Sequence, residues 1–404
     1  MRKYLSILSS LTVTAVAGTA LAQPPAGDPA PTAPPPETTP PATPTPVTPP
    51  IAATPPVEPP APAPEAKPAD APPPKKLSVG KEGVFQPGLL AQGWFILDHA
   101  DATTSTFRLR RAELSVKGEI VPKQVGYAIM IDPAKVREFN TVTVSGPMGD
   151  VKVRQPVTAV SVLQDFFITY ISKYADASIG QFKIPVSWEG YNSSSKLILP
   201  ERAIVSSAFG DKRDLGLRIA KTFPKWGYSF GLFNGAGLNN LDDNDQKDIA
   251  LRLEVYPVKG LTIAGVTYDS LFQRELAASK DRWEGDVRYE HGPYLVQAEY
   301  IRARDGGVSA RVTGQGAYLA LGYTIEDKAL GSGSLQPVVR VGFFDSDVDN
   351  DVPATGADEV VHYDVGVNYY LRGHEMKLQG SYQRQQFDDK TANNQVIVAA
   401  QVAY

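Results

Sequence analysis

The stretch Asn394-Gln395-Val396-Ile397-Val398-Ala399-Ala400-Gln401-Val402-Ala403-Tyr404 alternates with period two. Val396, Val398, Ala400, Val402 and Tyr404 fall on one face, and Gln395, Ile397, Ala399, Gln401 and Ala403 on the other. Side chains of a β-strand point alternately to opposite faces, so this is a strand with one wholly apolar surface. As the last strand of a soluble sheet it would leave an open edge, ready to pair with another chain. A barrel closed on itself in a bilayer removes that edge by pairing the last strand with the first. The segment is therefore expected to close a transmembrane barrel, with the last strand of a soluble sandwich as the alternative.

The N-terminus fits that destination. Arg2 and Lys3 precede an apolar run from Leu5 to about Val16, and Ala20-Leu21-Ala22 offers a small-residue cleavage site. Residues 1–22 are expected to be a secretory signal peptide, outside the fold. No later run is long and apolar enough to encode a membrane helix. The chain has no cysteine, so no disulfide framework is expected. A net charge of −4 with both signs interspersed argues against a nucleic-acid partner. Mean hydropathy is slightly negative, which suits a barrel whose apolar outer face averages against a polar inner one.

Residues 23–84 read as a linker. Between Gln23 and Lys76 fall 23 of the 35 prolines, including Pro34-Pro35-Pro36 and Pro72-Pro73-Pro74, and no aromatic residue. Such a tract lacks the backbone donors and apolar surface a core needs, so an extended, disordered arm is expected. Its reach is on the order of 150 Å at about 3.1 Å per residue. A passive spacer and a periplasmic arm contacting the cell wall are both open readings.

From 85 to 404 the composition switches to alternating segments. Period-two runs bounded by turn residues predict sixteen strands: 88–97, 105–120, 123–132, 162–174, 176–184, 213–221, 226–236, 247–257, 260–270, 282–290, 293–303, 315–325, 335–345, 360–371, 374–385 and 394–404. The connections sort by length. Tight turns such as Val121-Pro122, Pro224-Lys225, Val258-Lys259 and Arg372-Gly373 alternate with long polar loops at 133–161, 185–212, 237–246, 304–314 and 346–359. The connection 326–334 is the exception. Outer-membrane barrels arrange their periplasmic and extracellular ends in this way. Aromatics near strand ends, among them Trp94, Tyr170, Phe223, Trp226, Tyr228, Trp283 and Tyr294, are expected at headgroup level. The fold class is thus all-β, an antiparallel transmembrane β-barrel.

Several stretches resemble the phosphate-selective porin O and P family. They include Phe107-Arg108-Leu109-Arg110-Arg111-Ala112-Glu113-Leu114, Gly180-Gln181-Phe182-Lys183-Ile184-Pro185 and Glu201-Arg202-Ala203-Ile204-Val205. Arg213-Asp214-Leu215-Gly216 and Phe233-Asn234-Gly235 follow in order. The resemblance implies a sixteen-stranded channel, a homotrimer, and a third extracellular loop, here 185–212, folded into the lumen. It implies passive diffusion of small hydrophilic or anionic solutes, with no cofactor and no metal. A non-conducting barrel anchoring the Pro-rich arm is the competing function.

Loop 185–212 carries Trp188, Tyr191, Leu197, Ile198, Leu199, Ile204, Val205 and Phe209, which gain nothing in water and would be buried against the inner wall. Glu189, Lys196, Glu201 and Arg202 of that loop are then expected in the pore. Arg108, Arg110, Lys117, Lys183, Arg218, Arg252 and Arg340 are candidates on the wall, the first two beside Arg111 at an expected bulge. Acidic Glu113, Asp165, Glu254, Glu299 and Asp364 share the same inner faces, so no excess of one sign is visible. Gly227-Tyr228-Ser229-Phe230-Gly231 matches a hydrolase elbow but falls inside a strand with no helix after it. The four histidines lack metal-ligand spacing. Acidic loops at Asp242–Asp245 and Asp345–Asp351 read as solvated, with weak cation bridging to lipopolysaccharide as the option. No enzyme is expected.

Overall fold

The computed structural model describes residues 77–404, apart from 80–82, 100–102, 147–148, 157–161, 271–278, 307–309, 327–330, 350–357 and positions 138, 243, 332 and 390. The expected signal peptide and the Pro-rich arm up to residue 76 lie outside the described residues.

The strands run β1 Leu77–Val79, β2 Gly83–His99, β3 Thr103–Val121, β4 Val125–Ile131, β5 Phe139–Gly146 and β6 Gly149–Pro156. Then come β7 Leu163–Tyr170, β8 Asp176–Lys183, β9 Arg213–Thr222, β10 Trp226–Phe233, β11 Asp248–Val255, β12 Leu261–Asp269 and β13 Lys280–His291. The last six are β14 Tyr294–Gly306, β15 Arg311–Tyr323, β16 Ser334–Asp345, β17 Glu359–Arg372, β18 Met376–Phe387 and β19 Ala392–Ala403. Seventeen strands form one sheet, and β1 is a short addition to the start of β2. The other sixteen close into an antiparallel barrel. Strand β19 pairs with β2 from Asn394↔His99 to Ala403↔Leu90. The amide of Tyr404 donates to the Leu89 carbonyl at 2.8 Å, and the Leu89 amide returns the bond at 3.0 Å. Pairing the last strand with the first removes the open edge that hydrocarbon would not tolerate.

All sixteen expected strands are present, with edges moved by a few residues. Strands β14 and β15 reach Gly306 and begin at Arg311, so the loop expected over 304–314 is shorter than its pattern implied. Loop 133–161 departs more. It contains the hairpin β5–β6, whose two strands, among the described residues, pair only with each other.

The faces sort as alternation demands. On β17, Tyr363, Val365, Val367 and Leu371 point outward and are exposed, while His362, Asp364, Asn368 and Tyr370 point inward and are buried. On β19, Val396, Val398 and Val402 are exposed, as is Tyr404 after it, and Ile397, Ala399 and Gln401 are buried. Tyr170, Trp226 and Tyr294 stand outside near the short-turn rim, with Trp226 stacked on Tyr228 at 5.8 Å. Trp94 corrects the expected girdle: it is 5% exposed and faces the lumen, where the Arg110 guanidinium lies 5.6 Å from its ring centre. A bulge explains how Arg110 reaches it. Gln92 pairs with Arg111 and Gly93 with Leu109, so Arg110 is the extra residue and both neighbouring arginines turn inward.

Candidate functional site

Loop 185–212 enters the barrel because its sequence leaves it no better place. Ser187 takes a left-handed φ of 67°, and its hydroxyl accepts from the Gly190 amide at 3.0 Å, starting the short helix Trp188–Tyr191. A 3-10 turn at Ser194–Lys196 and a helix at Ile204–Phe209 follow. Ile198, Leu199 and Val205 are each 1% exposed and join Phe209 in one apolar cluster with Ile301, Tyr318, Val338, Phe344 and Val360 of the wall. Burying each large aliphatic contributes about 1.5–3 kcal/mol. The wall makes room for two of them with glycines. A Cβ on Gly366 would lie 2.6 Å from Leu199 Cδ2, and one on Gly316 would lie 3.0 Å from Val205 Cβ.

Polar contacts hold the loop's path around the lumen. The Ser187 amide donates to Glu284 at 2.6 Å and the Trp188 amide to Glu299 at 2.8 Å. From the opposite wall, Asn368 donates to the Ile198 carbonyl at 2.8 Å, Lys377 to that of Leu197 at 2.6 Å, and Gln401 to that of Ser195 at 3.1 Å. A buried amide or carbonyl without a partner would cost a few kcal/mol, so each of these wall side chains satisfies backbone that no strand can.

The residues expected to carry selectivity divide into two groups. Glu189 and Arg202, expected in the pore, are 3% and 4% exposed and serve the loop's own fold. Glu189 accepts from the Ala203 amide at 2.7 Å. Arg202 donates to the Glu189 carbonyl at 2.8 Å and pairs with Asp211 at 3.0 Å. Lys183 donates to the carbonyls of Gly190 and Asn192 at 2.6 and 2.7 Å. Arg252 faces Glu254, Glu284 and Asp286 at 2.6, 3.4 and 2.8 Å, and Arg340 faces Asp364 at 2.7 Å and Glu189 at 3.6 Å. Both are buried, and their charge is spent on cross-bracing. These positions obey the alternation, but sequence could not show that their charges would be matched from strands and loops far along the chain.

The second group meets water. Arg110 pairs with Glu201 at 2.9 Å where both side chains are partly exposed, and Arg111 adds a contact to Glu201 at 3.5 Å. Burial alone would raise the Glu201 carboxyl, but Arg110 and Arg111 hold it well below the usual range. Asp211, between Arg202 and Lys183, is likewise held low against the effect of burial. Arg108 and Lys117 are exposed on β3, and Lys196 is exposed at the loop's turn. Arg218 packs its guanidinium over Phe182 at 4.5 Å and Phe167 at 5.3 Å.

Between the loop and the short-turn rim lies a cavity of about 750 Å³. Its charged lining is Lys196, Lys225, Lys259 and Arg288 against the single carboxylate Glu290. Sequence analysis missed Lys225, Lys259 and Arg288, because each sits in a different turn or strand and only the pairing of β9 to β13 side by side shows that they line one cavity.

A family model described as phosphate-selective porin O and P matches residues 97–275 and 262–404. The chain belongs to that family. This porin is also similar in fold to solved structures. OmpF of Salmonella typhi, in complex with daunomycin, aligns at TM-score 0.55 with 11% identity, over 80% of this chain and 98% of its own. The outer membrane channel DcaP of Acinetobacter baumannii aligns at TM-score 0.54 with 12% identity, over 80% and 97%. OmpT of Vibrio cholerae aligns at TM-score 0.51 with 11% identity, over 82% and 100%. No curated protein sequence matches the chain. The porin is an outer-membrane channel through which small hydrophilic solutes diffuse passively.

Proposed function

We propose that the channel prefers anions to cations, inorganic phosphate among them, without catalysing any reaction. The supporting observation is the charge balance of the cavity beneath the loop, where Arg288 pairs with Glu290 at 2.6 Å and Lys196, Lys225 and Lys259 have no facing carboxylate in the lining. Higher up, Arg252, Arg340 and Arg202 are matched by acids and contribute little net field. In a narrow, partly desolvated passage an unmatched charge changes an ion's free energy far more than a rim charge does. Signal-directed export through residues 1–22, a periplasmic arm over 23–76, a homotrimeric assembly and outer contacts with lipid and lipopolysaccharide complete the reading; the last residues of the expected linker, 77–79 and 83–84, belong instead to β1 and β2.

Planar-bilayer recording in a potassium chloride gradient tests it. The reversal potential should have the sign of chloride preference, and added phosphate should reduce the chloride current. Lys196→Glu should move the reversal potential toward potassium, whereas Asp347→Asn, in the loop after β16, should not. A potassium-preferring wild type would sink the proposal. Absence of conductance steps would favour a barrel that anchors the Pro-rich arm.

A further inference from the structure

The cavity beneath the loop holds more than charge. Two aromatic rings, Trp188 from the loop and Tyr256 from the turn after β11, also line it. The Arg288 guanidinium lies 5.1 Å from the Trp188 ring centre and orients that indole, while Tyr256 is held by a hydrogen bond from its hydroxyl to Glu254 at 2.5 Å. Lys225 and Lys259 stand on two successive short turns, both exposed, and among the described residues neither has an ion pair. His374, from the turn before β18, completes the lining. Burial, then the neighbouring Lys377 ammonium, push its imidazole down to about 4, so at neutral pH it offers a neutral hydrogen-bonding ring.

We propose that this vestibule is a binding site for aromatic carboxylates, entered from the short-turn, periplasmic side. Its volume lies within the ~300–1,000 Å³ range of pockets that enclose small organic ligands. A bare inorganic anion would use the lysines and leave Trp188 and Tyr256 in water. A planar acid would place its carboxylate between Lys225 and Lys259 and its ring against the aromatic surface, removing apolar area from water as well as pairing charge. The unmatched ammonium groups reject organic cations of the same shape. This site rests on the chain being an open channel, shares its lysines with the proposed anion preference, and adds a class of solute that the channel would retain in passing.

Benzoate is the probe, with acetate and inorganic phosphate as comparators. Binding is read by ligand-observed saturation-transfer NMR on the full-length protein in detergent, so it does not depend on conduction. Benzoate should saturate at concentrations where acetate shows no transfer. The double variant Lys225→Glu/Lys259→Glu, confined to exposed turns, should weaken benzoate about tenfold, roughly the effect of 1.4 kcal/mol. Its heat-modifiable migration should remain that of the wild type, showing an intact barrel. In bilayers, benzoate on the short-turn side should interrupt chloride current at lower concentration than from the other side. Benzoate binding no tighter than acetate, or unchanged in the double variant, overturns the site. If chloride preference is found with no benzoate binding, the site fails and the anion channel stands. If benzoate binds to a channel without chloride preference, the site stands and the preference fails.

Discussion

Loops 133–161 and 185–212 leave the same rim of the barrel and are of similar length, yet they fold by different rules. The first pairs its own backbone in the hairpin β5–β6. Its sequence there, Thr141-Val142-Thr143-Val144 and Val151-Lys152-Val153, alternates with period two and can satisfy its hydrogen bonds locally. The second has no such alternation. It carries Leu197-Ile198-Leu199 and Ile204-Val205, contiguous apolar residues that no single strand can hide, and it ends buried among wall residues. A loop that can pair with itself needs no wall to satisfy its backbone. One whose apolar residues are bunched must borrow a surface, and the inner wall supplies it.

The strongest way to break this contrast is to make the borrowed surface hostile. Leu199→Asp would bury an unpaired carboxylate against Gly366 within the apolar cluster, a cost that favours expelling the loop. Single-channel conductance should rise roughly twofold or more as the constriction opens. Deleting 139–156 should leave conductance unchanged. If the hairpin deletion opens the channel and Leu199→Asp does not, the two loops have been assigned the wrong roles.

A milder comparison uses stability. Leu199→Ala, at a position 1% exposed, should destabilise the loop's attachment by about 2–5 kcal/mol. Leu241→Ala, in the loop after β10 at 88% exposure, should cost almost nothing. Protease susceptibility of loop 185–212 at graded denaturant reads the difference. Equal susceptibility in the two variants would mean that the apolar cluster does not hold the loop.

The smallest effect concerns pH. Because Arg110 and Arg111 depress the folded-state Glu201 carboxyl, its charge stabilises the loop above the unfolded value of about 4.3. That contribution is lost as pH falls through the lower folded value. Glu201→Gln should therefore weaken loop protection by the same amount at pH 7 and pH 5. The two proteins should converge only in stronger acid. Convergence already between pH 7 and pH 5, measured by the same proteolysis, would contradict the ion pair as the cause.

The barrel was legible in the sequence because its determinants are local. Period-two alternation in strands such as β17 and β19, together with turns such as Pro224-Lys225, specifies a strand face and a reversal without reference to distant residues. The bunched apolar residues of 185–212 likewise announced a buried loop. The roles of the charges were not legible, because a charge acquires its role from what faces it. Arg252 and Arg340 fit the lumen pattern, yet acids from other strands neutralise them. Glu189 and Arg202 lie in the expected loop, but they turn into its interior. Alternation tells which side of the wall a residue takes. Only the closed barrel, bringing strands distant in sequence across one lumen, decides whether its charge meets an opposite charge or water.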